Sequence, residues 1–330
     1  MLNYISLFLY INVYKIFYTY SLYINLVEIM PIDINLEKWL SQLPKEVFTP
    51  RNVEEFRKYM DEGSNIIKQF APKIEMKEIR NEFINGRESK IPVRIYIPKI
   101  VETQGILIYL HGGGFVWGSS DSYDHVLRYL ANECKCKVAS IDYRLAPEHK
   151  FPAAVIDSFD SVKYFYEKEK SVAIAGDSAG GNLSAVSSIL ARDEGIKLKA
   201  SVLIYPTVGY DATSKSMREY SNIFLTREAM NFFGLMYLKS PTDIYDIRFS
   251  PILAESHKNL PPTLIITAEY DPLRDQGETY ASILNRSGVE TIQIRFGGVT
   301  HGFINLLGIV PSAEVTLQTI SSFIRSKLNK

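Results

Sequence analysis

Apolar and polar positions recur with two different periods along the chain, and the change of period divides it. Between residues 36 and 70, Leu36, Leu40 and Leu43, then Val53, Phe56, Met60 and Ile67, fall at helical spacing and predict two amphipathic helices. Eight runs with strand character follow: EIRNEFI (78–84), IPVRIYI (91–97), ILIYL (106–110), KVASID (137–142), VAIAG (172–176), ASVLIYP (200–206), TLIITAE (263–269) and TIQIRF (291–296). The first two alternate and flank NGRESK, which predicts an antiparallel hairpin with one solvated face. The later runs are near-continuously apolar and separated by helical patterns, as expected of buried parallel strands joined by right-handed crossovers. From Thr207 to Pro262 no strand is predicted, so an insertion is expected there. It contains TREAMNFFGLMYLKSP, a helix with Thr226 as N-cap and with Phe232, Phe233, Met236 and Tyr237 as apolar content. That is more apolar surface than one helical face needs, and the segment is expected to cover something.

The first 29 residues stand apart, rich in Tyr, Ile and Leu, with Lys15 and Glu28 their only charges. They lack the basic start and small-residue cleavage site of a secretory signal, and Lys15 with several Asn and Ser residues interrupts the apolar run a spanning helix needs. Met30 opens an ordinary soluble pattern. The preferred reading is a start assigned too far upstream and a cytoplasmic protein, with a membrane anchor through residues 1–29 as the alternative. Basic and acidic residues are equal in number, 37 and 37, so no net charge draws the chain to nucleic acid or anionic lipid; small neutral substrates suit it. Cys134 and Cys136 are too few for a four-ligand zinc site and too close for an unstrained bridge, and read as free thiols.

The stretch VAIAGDSAGGNLSA, residues 172–185, places Ser178 between Gly176 and Gly180, directly behind a strand and ahead of a helical pattern. Such a frame fits a sharp turn in which side chains two residues away would collide, and it presents the serine as a nucleophile. Alone the pattern is weak. HGGGF, residues 111–115, follows the strand ILIYL and is the stronger signal: consecutive glycines let backbone N–H groups turn inward, as an oxyanion hole requires. No Lys-Ser/Thr pair follows, which argues against a phosphate loop. With the order Ser, acid, His expected along the chain, the histidine is His257 or His301. An acid beyond the penultimate strand leaves His301, in the glycine-bordered loop after the last one. EYDPLRD, at the end of that penultimate strand, offers Glu269, Asp271 and Asp275; Asp271 is favoured because it lies just past the strand end, where Glu269 is still at the strand terminus and Asp275 falls in the next helix.

Together these residues resemble the hormone-sensitive-lipase-like family of α/β-hydrolase carboxylesterases, which also includes the arylacetamide deacetylases. The resemblance runs from about Ile91 to His301, through HGGGFVWGSSDSYD, DYRLAPEHKFPAA, GDSAGGNL, SPIL, LPPTLIITAEYDPLRDQGETYA and HGF. It implies an α/β-hydrolase fold: a mostly parallel eight-stranded sheet flanked by helices, residues 76–206 and 256–330, under a helical lid made by 31–75 and 207–255. It implies Ser178 as nucleophile, Asp271 as acid and His301 as base, and the N–H groups of Gly113, Gly114 and Ala179 as oxyanion hole. Phe232, Phe233 and Met236 are expected to cap an apolar pocket of limited depth. In DYRLAPEHKFPAA, Arg144 and Glu148 are expected to pin a loop through an ion pair; His111 should fix the glycine loop by a hydrogen bond, and Asp177 should shape the turn beside it. The implied reaction is hydrolysis of small-molecule esters with short to medium acyl groups through an acyl-enzyme, with no metal or cofactor. An amidase, formamidase or peptidase on the same machinery, or a ligand-binding protein without turnover, are the alternatives, and a homodimer is left open.

Overall fold

The computed structural model describes residues 30–169 and 171–329. The readings of residues 1–29 as a misassigned start or an anchor fall outside them. Where two helices were expected first, three form. Helix α1 (Ile34–Gln42) starts at Asp33, whose Oδ1 accepts from the N–H groups of Asn35 and Leu36. Pro44 then separates it from the single turn α2 (Lys45–Phe48). Asn52 caps α3 (Val53–Phe70) by accepting from Glu54 and Glu55, and Phe56 and Ile67 form its buried stripe. Apolar periodicity runs across the α1–α2 junction; proline, with no N–H to give, breaks it.

The remaining elements are β1 (Glu78–Asn85), β2 (Lys90–Ile97), β3 (Ile106–Leu110), α4 (Asp124–Cys134), β4 (Lys137–Ile141), α5 (Ala153–Glu169), β5 (Val172–Asp177), α6 (Ala179–Asp193), β6 (Ala200–Ile204), α7 (Lys215–Tyr220), α8 (Arg227–Tyr237), β7 (Thr263–Tyr270), α9 (Arg274–Arg286), β8 (Thr291–Thr300) and α10 (Pro311–Leu328). Each expected run is a strand. They form an eight-stranded sheet in the order β1-β2-β4-β3-β5-β6-β7-β8. β2 is antiparallel to both its neighbours, and every other pairing is parallel.

Strands β3, β5 and β6 are buried along their whole length. Alternate residues of β6 and β7 feed two separate apolar layers: Leu203 and Ile265 pack with Ala185 and Ile189 of α6 and Leu284 of α9, whereas Val202, Ile204, Leu264 and Ile266 join the main core on the other face. α4 packs on α10, and α5 on α6. Covered on both faces, these strands have no polar side to show, so their sequences read as unbroken apolar runs. β8 corrects the expectation of burial throughout. It is an edge strand, its first seven residues are half-buried or exposed, and only its last three are buried. Among the described residues no helix is long and apolar enough to cross a membrane.

Candidate active site

The parallel strands deliver their following residues to one edge of the sheet, as open α/β sheets do. Ser178 immediately follows β5, with φ 56° and ψ −116° and with its N–H donating to the Ile204 carbonyl of β6 at 2.8 Å. A non-glycine residue in that backbone region costs on the order of 1–3 kcal/mol and persists only where the surroundings enforce it. The enforcement is steric. A Cβ at Gly176 would lie 2.3 Å from the Gly180 carbonyl oxygen, and one at Gly180 would lie 1.9 Å from that of Leu110 at the end of β3. Only hydrogen fits at either position, so the turn passes tightly under the strand end and lifts Ser178 into the open.

His301, just past β8, reaches back to it. Its Nε2 lies 2.8 Å from Ser178 Oγ, and its Nδ1 lies 2.7 Å from Asp271 Oδ2. Asp271 is fully buried, and its second oxygen accepts the Leu273 N–H at 2.8 Å. A carboxylate can only accept, so Nδ1 carries the proton and Nε2 presents its lone pair to the Ser178 hydroxyl. An imidazole held in this tautomer can take a hydroxyl proton. Glu269 instead turns its Oε2 to the Gly298 N–H at 2.8 Å, and Asp275 accepts the Ser216 N–H at 2.8 Å. His257 is buried elsewhere, with Nε2 on the Pro251 carbonyl.

The glycine loop faces the same space. Gly113 has φ 118° and Gly114 φ 62°, and a Cβ on Gly113 would lie 2.0 Å from the Trp117 carbonyl oxygen. The Val116 and Trp117 N–H groups, both at 3.0 Å, hold the Gly113 carbonyl. The N–H groups of Gly113, Gly114 and Ala179 donate to no acceptor among the described residues. Ala179 opens α6, so its N–H also sits at the positive end of a helix.

Behind the loop lies a polar cluster. Asp177 is fully enclosed; its Oδ1 accepts from Tyr109 Oη and Gly112 N–H and its Oδ2 from Tyr123 Oη, all within 2.9 Å. Burial pushes its pKa up to about 6 despite those bonds. His111 places Nδ1 2.8 Å from the Gly112 carbonyl and stacks on Tyr143; burial holds its pKa below the usual range.

A cavity of about 1100 Å³ opens over Ser178 and His301, lined by apolar side chains from α1, α3 and the 207–255 segment. It lies just above the usual range for small-molecule sites. Of the three candidates on α8, Phe233 lines it, with its ring against Gly114; a Cβ there would meet Phe233 Cγ at 2.4 Å. Phe232 and Met236 do not. They lie four residues apart on another face of the helix and pack into the core, Phe232 against Phe56.

The ion pair expected between Arg144 and Glu148 is also corrected. Arg144 binds Asp157 and Glu88, and Glu148 binds Arg57 of α3. Arg57 carried no local sequence signal, since its partners lie about 60 and 90 residues away.

A family described as having the alpha/beta hydrolase fold matches residues 107–305. The arylesterase of Saccharolobus solfataricus is 39% identical over 290 residues, covering 83% of this chain and 93% of that protein. The carboxylic ester hydrolase LipN of Mycobacterium tuberculosis is 38% identical over 263 residues, covering 75% and 70%. Among solved structures, an esterase of Pyrobaculum calidifontis superposes with a TM-score of 0.85 at 40% identity, over 91% of this chain and 100% of that one.

Proposed function

The chain belongs to the hormone-sensitive-lipase-like family of α/β hydrolases, and from that premise we propose that it is a carboxylesterase acting on short to medium acyl esters through Ser178, His301 and Asp271. The observation that carries the reading is the continuous hydrogen-bonded path from Asp271 through His301 to Ser178 Oγ, set beside three unengaged amides at the floor of an apolar cavity.

Ser178 Oγ attacks the acyl carbon as His301 Nε2 takes its proton. The carbonyl oxygen becomes an oxyanion and is received by the N–H groups of Gly113, Gly114 and Ala179. The imidazolium, steadied by Asp271, protonates the departing alcohol as the ester C–O bond breaks, leaving an acyl-serine. Water then loses a proton to the same nitrogen, attacks, and releases the acid while Ser178 regains its proton. Asp271 holds the tautomer throughout and is not itself protonated.

We assign the cap to residues 31–75 and 207–255, over a core of 76–206 and 256–330; both cap segments contribute side chains to the cavity wall. An ester needs room for an acyl chain and a leaving group at once, so a large cavity is compatible with a short acyl chain. A p-nitrophenyl ester series tests the reading. kcat/KM should peak between butyrate and octanoate and Ser178→Ala should abolish turnover. A maximum at palmitate, or a sharp gain on emulsified substrate, contradicts the acyl preference; turnover surviving in Ser178→Ala contradicts the mechanism.

A further inference from the structure

The glycine loop is held from the core and from the cap together. Its Phe115 carbonyl accepts the Ala146 N–H at 2.8 Å. Its Val116 carbonyl accepts Nε of Arg57, on α3, at 2.9 Å. The same guanidinium reaches past the loop to the Ala146 carbonyl at 2.9 Å and both oxygens of Glu148 at 2.7 Å. One turn on, Asp61 accepts the indole N–H of Trp117 at 2.8 Å, and after it Ser64 donates to the Ser122 carbonyl at 2.9 Å. Residues 57, 61 and 64 share one face of α3, so the helix is stitched along the loop at three successive points. Lys150 ties the other cap segment to the same clamp, donating to the Leu235 and Leu238 carbonyls at the end of α8.

We infer that Arg57 is a positioning residue for the oxyanion donors: it fixes Val116, whose N–H holds the Gly113 carbonyl, and thereby aims the N–H groups of Gly113 and Gly114. A rigid fork with five donors can bridge two carbonyls and a carboxylate at once, which a lysine ammonium cannot do in one geometry. Glu148, its pKa drawn down to about 2 by the bond from Arg57, stays ionised across the working pH range and keeps the fork oriented. The inference rests on the hydrolase reading of Ser178. It adds that cap and oxyanion loop are one mechanical unit, with Arg57 touching neither substrate nor reacting atoms.

The test uses p-nitrophenyl acetate, which leaves most of the cavity empty, and phenylboronic acid, which forms a tetrahedral adduct on the serine. Both acylation and deacylation pass through an oxyanion, so Arg57→Met should lower kcat about 10- to 100-fold, somewhat less than loss of an oxyanion donor outright, with KM within about twofold. Boronate affinity should fall by about the factor lost in kcat/KM, because a transition-state mimic reports the same contacts. Arg57→Lys should recover part of both losses. Should the methionine variant fail to fold, Glu148→Gln, at a half-exposed surface carboxylate, should still lower kcat and boronate affinity together by a few-fold. Unchanged kcat in Arg57→Met, or a fall in kcat with boronate affinity intact in either variant, overturns the inference. Ser178→Ala assayed in parallel separates the two levels: if it is inactive while Arg57→Met matches wild type, only the role of Arg57 is lost; if it remains active, the hydrolase reading falls and this inference with it.

Discussion

Replacing Asp271 by Asn should disable the enzyme through a proton on the wrong nitrogen. The Leu273 N–H donates to Asp271 Oδ1 at 2.8 Å, so in the variant the amide oxygen stays on that side. The amide NH₂ is then left facing His301 Nδ1, where Oδ2 now stands at 2.7 Å. An NH₂ group cannot accept, so Nδ1 must, and the imidazole proton moves to Nε2, opposite the Ser178 hydroxyl it should receive from. Loss of the correct tautomer costs about 10⁴ in kcat in a comparable serine hydrolase, or about 5 kcal/mol of transition-state stabilisation. Glu269→Gln is the matched control two residues away. Its amide oxygen can still accept the Gly298 N–H, the bond that now lies at 2.8 Å, so activity should fall less than about fivefold. kcat and KM on p-nitrophenyl butyrate, with a thermal melt for each variant, make the measurement. Asp271→Asn retaining a hundredth of wild-type kcat, or Glu269→Gln losing as much as Asp271→Asn, would refute the assignment of the acid.

Two further outcomes follow from the same geometry. Asp177 has its pKa raised from 3.8 to about 6 by burial, so the folded protein holds a proton that the unfolded chain has already released, and stability from this group is present at low pH and declines as pH rises from about 4 to about 6. Asp177→Asn should therefore gain stability relative to wild type on going from pH 4 to pH 7, by up to ~3 kcal/mol at 1.36 kcal/mol per pKa unit; urea unfolding at the two pH values checks it, and a constant or reversed difference refutes it. Phe233→Ala should change the ranking of acyl lengths in kcat/KM with modest loss of stability, whereas Phe232→Ala, buried against Phe56, should cost about 3 kcal/mol or more and leave the ranking alone; the reverse pattern would mean that the helix faces are misassigned.

What the sequence made legible follows how local the cause is. β3, β5 and β6 are buried on both faces, and such strands can hardly be written except as apolar runs. Ser178 was legible because its backbone demands hydrogen at positions 176 and 180, a local constraint with a local signature. The α8 candidates were not separable, because Phe232, Phe233 and Met236 cover more than one side of the helix and only tertiary packing decides which side meets the cavity. The partners of Arg144 and Glu148 are not legible, for the opposite reason. Proximity in sequence suggested a pair, yet Arg57 arrives from α3 with a bidentate fork that also satisfies two carbonyls, an arrangement one short loop could not supply.

The three acids around the end of β7 illustrate how one stretch supplies three separate needs. Strands stand about 4.8 Å apart, so β8 lies three spacings from β5 and His301 must be carried back across the sheet end to meet Ser178. β8 does this by outgrowing its partner: Ala268 pairs with Phe296 and Tyr270 with Thr300, so two steps on β7 match four on β8. The surplus falls between Phe296 and Thr300, in a bulge that bends the strand end and contains Gly298, with φ 72°. Its polar groups are then satisfied from elsewhere, the N–H by Glu269 and the carbonyl by the Asp33 N–H at the start of α1, each at 2.8 Å. Asp271, beyond the strand end, is free to hold the imidazole that the bulge delivers. Asp275, in the first turn of α9, accepts the Ser216 N–H and so anchors the inserted segment that roofs the cavity. A carboxylate at each position answers a different orphaned donor, which is why chain position relative to the strand end, and not acidity, separates the residue that serves the chemistry from the two that serve the frame.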